Sequence, residues 1–183
     1  MKVRGYELHW ALAACVLVVA VGLGARVAVQ SRQAAELERE FAAIAGVTAA
    51  EVVRRGAHVN VLLTVADIDD FSRLYQEADQ LRRERLGDGA SRIVVRDGRN
   101  KGLVDSWRQL HFAVYEGAAT GRFTAMAETV ERLAARLPVD EVQLAMDGRF
   151  IYVRLTADGA YMYELVPLAP PLAADPTKGE RPQ

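Results

Sequence analysis

The sequence predicts an α+β protein: an N-terminal transmembrane helix, then a small mixed domain of order ββαβ then ααβββ, with an antiparallel-rich sheet carrying helices on one face. Three observations carry this expectation. Residues Trp10 to Ala25 form an apolar run without a single charge. Downstream, the apolar residues switch between alternation with a period of two and spacings of three and four, the signatures of strand and helix. Two Asp-Gly pairs, Asp147-Gly148 and Asp158-Gly159, stand one strand length apart and favour tight hairpin turns.

The apolar run continues past Arg26 through Val27, Ala28 and Val29. Residues 10–29 are long enough to cross a bilayer core of about 30 Å, with the Arg26 guanidinium reaching the interface. A short tail, residues 1–9, precedes it. A cleaved signal peptide would need small residues at both positions before the cut, and the end of this run does not offer them well. Leu12-Ala13-Ala14-Cys15 has the look of a lipoprotein box, but too little apolar sequence precedes it and too much follows. Cys15 reads more simply as a small membrane-facing residue. Lys2 and Arg4 before the run nearly balance Arg26, Arg32 and Arg39 after it. The expected arrangement in a bacterial cell membrane is N-terminus inside and domain outside, a single-pass signal anchor.

Residues 30–45 are rich in helix formers, with Leu37, Phe41 and Ile44 at helical spacing, and read as a helical stalk. The α+β domain follows over residues 46–168. Ala50–Arg55 and His58–Val65 read as a hairpin around Gly56, with Val59, Val61, Leu63 and Val65 as the face to bury. A helix starting near Asp67 aligns Ile68, Phe71, Leu74, Tyr75, Ala78 and Leu81. Its Asp69 and Asp70 at one end and Arg82, Arg83 and Arg85 at the other complement the helix dipole without any ligand.

Arg92–Arg96 reads as a third strand, and Asn100 as the cap of a second helix ending near Gly117. The apolar face of that helix is Leu103, Val104, Trp107, Leu110, His111, Val114 and Tyr115. A third helix carries Phe123, Met126, Val130, Leu133 and Leu137. Strands at Glu141–Met146, Arg149–Leu155 and Ala160–Pro167 form a meander through the two Asp-Gly turns. Residues 169–183, polar and rich in proline, are expected to be disordered.

The chain carries 23 Lys+Arg against 24 Asp+Glu, and residues 31–183 alone hold 20 basic and 23 acidic side chains. A near-neutral domain lacks the electrostatic footprint of a nucleic-acid binder, so nucleic acid is not an expected partner. All but three of the basic residues are arginine, which reads as codon composition in a GC-rich genome. The lone cysteine lies in the apolar run, so the domain has neither a disulfide nor a cysteine metal site.

Catalytic constellations are wanting. His58 and His111 have no nucleophile or acid at triad spacing and read as structural. Asp67, Asp69 and Asp70 lack the ordered positions of a calcium loop, and Gly117 and Gly121 lack the strand and Lys-Ser/Thr of a phosphate loop. No cofactor and no metal is expected. A possible binding surface is the Tyr-Arg face of the meander: Arg149, Tyr152, Arg154, Tyr161 and Tyr163. Packing of this face beneath other elements is the competing reading.

These features point to a membrane-anchored, non-enzymatic interaction domain, extracytoplasmic, that binds another envelope protein or forms a homo-oligomer. The alternative is an anchored sensor for a small envelope ligand, held in a pocket lined by Trp107, Tyr115 and Tyr152. In outline, one membrane helix, a short stalk and an α+β unit resemble the small anchored assembly factors of bacterial envelope machines, those of type IV pilus and secretion systems among them. The likeness is architectural, matches no motif, and assigns no residue a role.

Overall fold

The computed structural model describes residues 32–87, 89 and 91–168. The expected tail 1–9, transmembrane helix 10–29 and Pro-rich tail 169–183 lie outside the described residues. Among those described, no helix is long and apolar enough to cross a membrane.

The elements follow in the order α1 (residues 32–42), β1 (Val47–Arg55), β2 (His58–Val65), α2 (Phe71–Leu86), β3 (Ser91–Arg96), α3 (Lys101–Thr120), α4 (Phe123–Ala134), β4 (Glu141–Met146), β5 (Phe150–Ala157) and β6 (Ala160–Pro167). The α+β class and the order ββαβ then ααβββ are those the sequence predicts. The single sheet is replaced by two of three strands each, β1-β2-β3 and β4-β5-β6.

In the first sheet β1 pairs antiparallel with β2, Arg55 opposite His58, around Gly56 at φ +61°. β3 pairs with β2 in parallel, Val59 opposite Ser91. The parallel pairing has a geometric cause. Sixteen residues of α2 rise about 24 Å, close to the length of the eight-residue β2, so the helix returns the chain to where β2 began. The second sheet is the meander, closed at its last turn by Asp158 and Gly159 at φ +51° and +72°. Positive φ at both central positions matches the twist of a two-residue hairpin, which Asp-Gly supplies at little strain.

Helix ends follow the sequence with three shifts, the first being that α4 stops at Ala134 and leaves Leu137, expected within the helix, beyond its end. Asn100 Oδ1 accepts from Leu103 N at 2.8 Å and caps α3 as expected. α2 starts at Phe71 rather than Asp67, because Asp70 is the cap, accepting from Arg73 N at 3.1 Å. α3 runs through Gly117 to Thr120 and stops at Gly121, φ +71°. Gly117 instead serves packing: a Cβ there would sit 2.6 Å from Met126 Cβ, so α3 and α4 touch through it.

Two cores flank the second sheet. On one face Ile151, Val153, Leu155, Met162 and Val166 meet Leu103, Leu110, Val114, Met126 and Val130 of α3 and α4. On the other, Tyr152 and Tyr163 join Val61, Leu63 and Val65 of β2 with Phe71, Leu74 and Ala78 of α2. Helices therefore cover both faces of the meander rather than one. α1 belongs to this second core: Leu37, Phe41 and Ile44 are buried in it, so the expected stalk packs on the domain. Each such apolar side chain contributes about 1.5–3 kcal/mol on leaving water.

Candidate functional site

Four of the five side chains singled out in the sequence, Tyr152, Arg154, Tyr161 and Tyr163, share a face as alternation requires, whereas Arg149 is exposed in the turn before β5. Arg154 lies opposite Tyr163 and Thr156 opposite Tyr161 across the β5–β6 pair. That face is covered, not open. Tyr163 is 2% exposed, Tyr152 3% and Arg154 8%. What covers it is α2, the linker before α2 and the first sheet.

Each polar tip in this seam has a partner. The Tyr163 hydroxyl accepts from Ile68 N at 2.7 Å and lies 3.0 Å from Ile68 O, and the Tyr161 hydroxyl donates to Val65 O at 2.9 Å. The Arg154 guanidinium donates from Nη2 and Nε to Asp67 Oδ1, at 2.9 and 3.1 Å, and from Nη1 to Glu141 Oε2 at 3.0 Å. The Tyr152 hydroxyl donates to Asp147 Oδ2 at 2.7 Å. Arg149 Nη1 stands 2.7 Å from Asp79 Oδ2 on α2 and its guanidinium lies 5.3 Å from the centre of the Phe150 ring. Buried polar groups are tolerated when paired in this way.

The electrostatics agree with the geometry. Burial pushes the Tyr152 phenol well above its ordinary range, and its bond to the Asp147 carboxylate adds to the shift. Burial raises the Tyr163 phenol too. Burial alone would raise the Asp79 carboxyl, but hydrogen bonds from Arg149 and Arg82 outweigh it and hold it low. Asp147 is likewise held low, its burial outweighed by the Tyr152 hydroxyl and by the Arg149 and Phe150 amides at 2.7 and 2.8 Å. Tyrosines kept neutral and carboxylates kept charged make a fixed network.

The seam continues at the outer edge of β6. Asp97 Oδ2 accepts from Tyr163 N at 2.8 Å, and Arg99 donates to both Asp97 oxygens, to Glu164 and to Tyr163 O. The Asp97–Arg99 pair thus stands where a further strand would pair, and the β6 edge is closed. Gly98 permits the approach, since a Cβ there would meet the Tyr161 ring at 2.7 Å. The signal was present in the Asp97-Gly98 pair, which reads as a turn but does not reveal what it covers.

The expected pocket of Trp107, Tyr115 and Tyr152 does not form. Tyr152 belongs to the core on the far side of the meander from α3, and Tyr115 is 51% exposed on the outer side of that helix. His58 is exposed at the β1–β2 turn, and His111 is half-buried with Nδ1 2.9 Å from Arg108 O. Asp67 and Asp70 serve the Arg154 pair and the α2 cap. Among the described residues no group of three or more His, Cys, Asp or Glu is placed to hold a metal ion.

What the surface does present is an aromatic stripe on α3. The face turned to the core is Leu103, Ser106, Leu110, Ala113, Val114, Gly117 and Ala118. Phe112, 71% exposed, stands on the opposite side, with the His111 ring 3.9 Å from it. His111 lies 6.1 Å from both Trp107 and Tyr115, so the four rings are contiguous. In comparison with known proteins, no family model matches the chain and no curated protein matches it.

Proposed function

We propose that the chain is a membrane-anchored, non-enzymatic interaction domain, held outside the cytoplasm, that binds a second copy of itself through the solvent face of α3. The observation that carries this reading is the line Arg108, Phe112, Glu116. These residues are all exposed and follow at intervals of four, so they lie along one edge of the helix. A large ring 71% exposed at the centre of such a line is costly in water and marks contact surface.

The line is also self-complementary. Two α3 helices crossing antiparallel at Phe112 place each Arg108 opposite the Glu116 of the second copy, with ring against ring between them. A two-fold contact requires this kind of patch, in which each residue meets the counterpart that also meets it. The anchor is supported by residues 10–29, whose apolar run leads within two residues to the start of α1.

The test is the mass of the full-length chain in detergent micelles, by sedimentation or light scattering. The parent chain is expected to be a dimer and Phe112→Asp a monomer of unchanged circular dichroism and melting temperature. Equal masses for the two would overturn the reading.

A further inference from the structure

We propose that the end of the domain holding the β1–β2 turn docks on anionic phospholipid headgroups through an arginine cluster. The inference rests on the anchored reading above and deepens it by naming the surface that faces the bilayer.

The topology fixes which end this is. β1 runs antiparallel to β2, and Glu38 of α1 accepts from Val52 N at 2.9 Å, which sets α1 against β1. From that contact, six residues of α1 back to Arg32 and three residues of β1 on to Arg55 cover similar lengths, about 9–10 Å. The start of α1, where the apolar run arrives, is therefore level with the β1–β2 turn. The end of α2 and the start of β3 come to the same level, since Ser91 lies opposite Val59 and Arg92 opposite Asn60.

That end is rich in arginine. Arg32, Arg54, Arg55, Arg83, Arg85 and Arg92 are all exposed there. Arg54 and Arg55, successive on a strand, point to opposite sides of the sheet and line separate clefts. Arg54 and Arg85 face α1 in a cleft of about 320 Å³. Arg55 and Arg92 share one of about 420 Å³ with His58, Asn60, Gly89 and Ser91. Arg85 is paired with Glu40 at 2.7 Å, Arg83 lies 3.5 Å from Asp79, and Arg92 bonds Asn60 at 2.8 Å. Arg54 and Arg55 meet no carboxylate among the described residues. Besides Glu40 and Asp79, the acids there are Glu36 and Glu84, which accepts from Gln80, and Asp88 follows in the sequence.

A domain that is acidic overall thus places a group of exposed arginines, Arg54 and Arg55 without a carboxylate among the described residues, on the end that its apolar run would hold against a membrane. Guanidinium groups bind phosphodiesters through paired N–H donors, and each basic side chain near an anionic surface adds a further increment of attraction. Gly56 and Ala57, both exposed at the tip, let the turn come close to the headgroups.

The test uses the full-length chain with Cys15→Ser and Ala57→Cys, labelled with a fluorophore and reconstituted in lipid nanodiscs carrying headgroup-level quenchers. Discs of phosphatidylcholine are compared with discs that also contain phosphatidylglycerol. Quenching is expected in the anionic discs, with relief by added salt, and little in the neutral ones. The pair Arg55→Gln and Arg92→Gln should lower the docked population roughly tenfold or more, while a label at Ala45→Cys, at the opposite end, stays unquenched. Protein that enters the discs but is quenched alike in both lipids, or regardless of the arginines, overturns the docking and leaves the anchor standing. Release by inorganic phosphate at constant ionic strength also overturns it, since the cleft would then be taking a free anion. Protein that never enters the discs overturns the anchored reading itself.

Discussion

Arg154 Nη2 and Asp67 Oδ1 lie 2.9 Å apart across 87 residues of chain, and this contact joins the two halves of the domain. Asp67 belongs to the linker before α2, and Arg154 to the central strand of the second sheet. The guanidinium is 10% exposed, whereas Asp67 and Glu141 are 47% and 52% exposed. Arg154→Ala leaves two carboxylates that water can still reach, so the cost is lost bonding and packing, about 2 kcal/mol. Arg154→Met, which refills the volume, should recover about half of that. Urea unfolding of both variants, followed by circular dichroism, checks the order. Equal losses would assign the whole effect to charge.

Gly117 sets the distance between α3 and α4. Its substitution by alanine puts a methyl 2.5 Å from Met126 Sδ and 2.6 Å from Met126 Cβ, closer than side-chain rotation can relieve. Gly117→Ala is expected to cost about 1–3 kcal/mol through forced separation of the helices. Met126→Ala should not rescue it, because Cβ remains; Met126→Gly should rescue it in part. Thermal melting of the three single and double variants distinguishes the cases, and rescue by Met126→Ala would place the clash at the sulfur instead.

The seam between the sheets makes stability depend on pH at both extremes. Asp79 and Asp147 titrate in the folded chain below the usual 3.8, so their stabilisation is complete above that value and is lost as pH falls through the folded pKa. Tyr152 and Tyr163 titrate above the usual 10, so their share is complete below pH 10 and is lost as pH rises beyond it. Melting temperature against pH should show a plateau between these limits. Tyr152→Phe should remove part of the alkaline fall, and Asp147→Asn part of the acid one. An alkaline limb that Tyr152→Phe leaves unchanged would show that this phenol is not held neutral by the fold.

Much of this architecture was legible in the residues, and the exceptions share a cause. The Asp158-Gly159 turn, the Asn100 cap and the buried stripe Val61, Leu63, Val65 are local facts, decided within a few residues. Alternation also placed Tyr152 and Arg154 on one face, but it cannot say what lies over that face. The covering groups, Asp67 and Ile68, come from about 90 residues away. On α3 the apolar pattern turned His111 and Tyr115 inward. The true inner face adds Ser106, Ala113, Gly117 and Ala118 to Leu103, Leu110 and Val114, and at Gly117 α4 approaches so closely that a Cβ does not fit. Close helix packing selects for size, and a pattern read from hydrophobicity misses it. The same rotation left Phe112 outside and unnoticed.

The self-association proposed for α3 makes a prediction that a different protein partner would not satisfy. Among the described residues Arg108 Nη1 is held by Asp105 alone, at 2.9 Å on an exposed surface, 71% and 46% exposed, so the pair is loosely committed. Arg108→Glu sets two carboxylates against each other at each end of the two-fold contact and should weaken the dimer by roughly tenfold. Glu116→Arg should do the same with opposite sign of charge. The double swap, Arg108→Glu with Glu116→Arg, restores both pairs in reversed polarity and should return the dimer to near the parent affinity, a coupling that a double-mutant cycle isolates. A heterologous partner carries unswapped charges, so for it the double variant would be the weakest of the three. Dissociation constants of the four chains, measured by sedimentation in one detergent, separate a contact between like copies from every other use of this face.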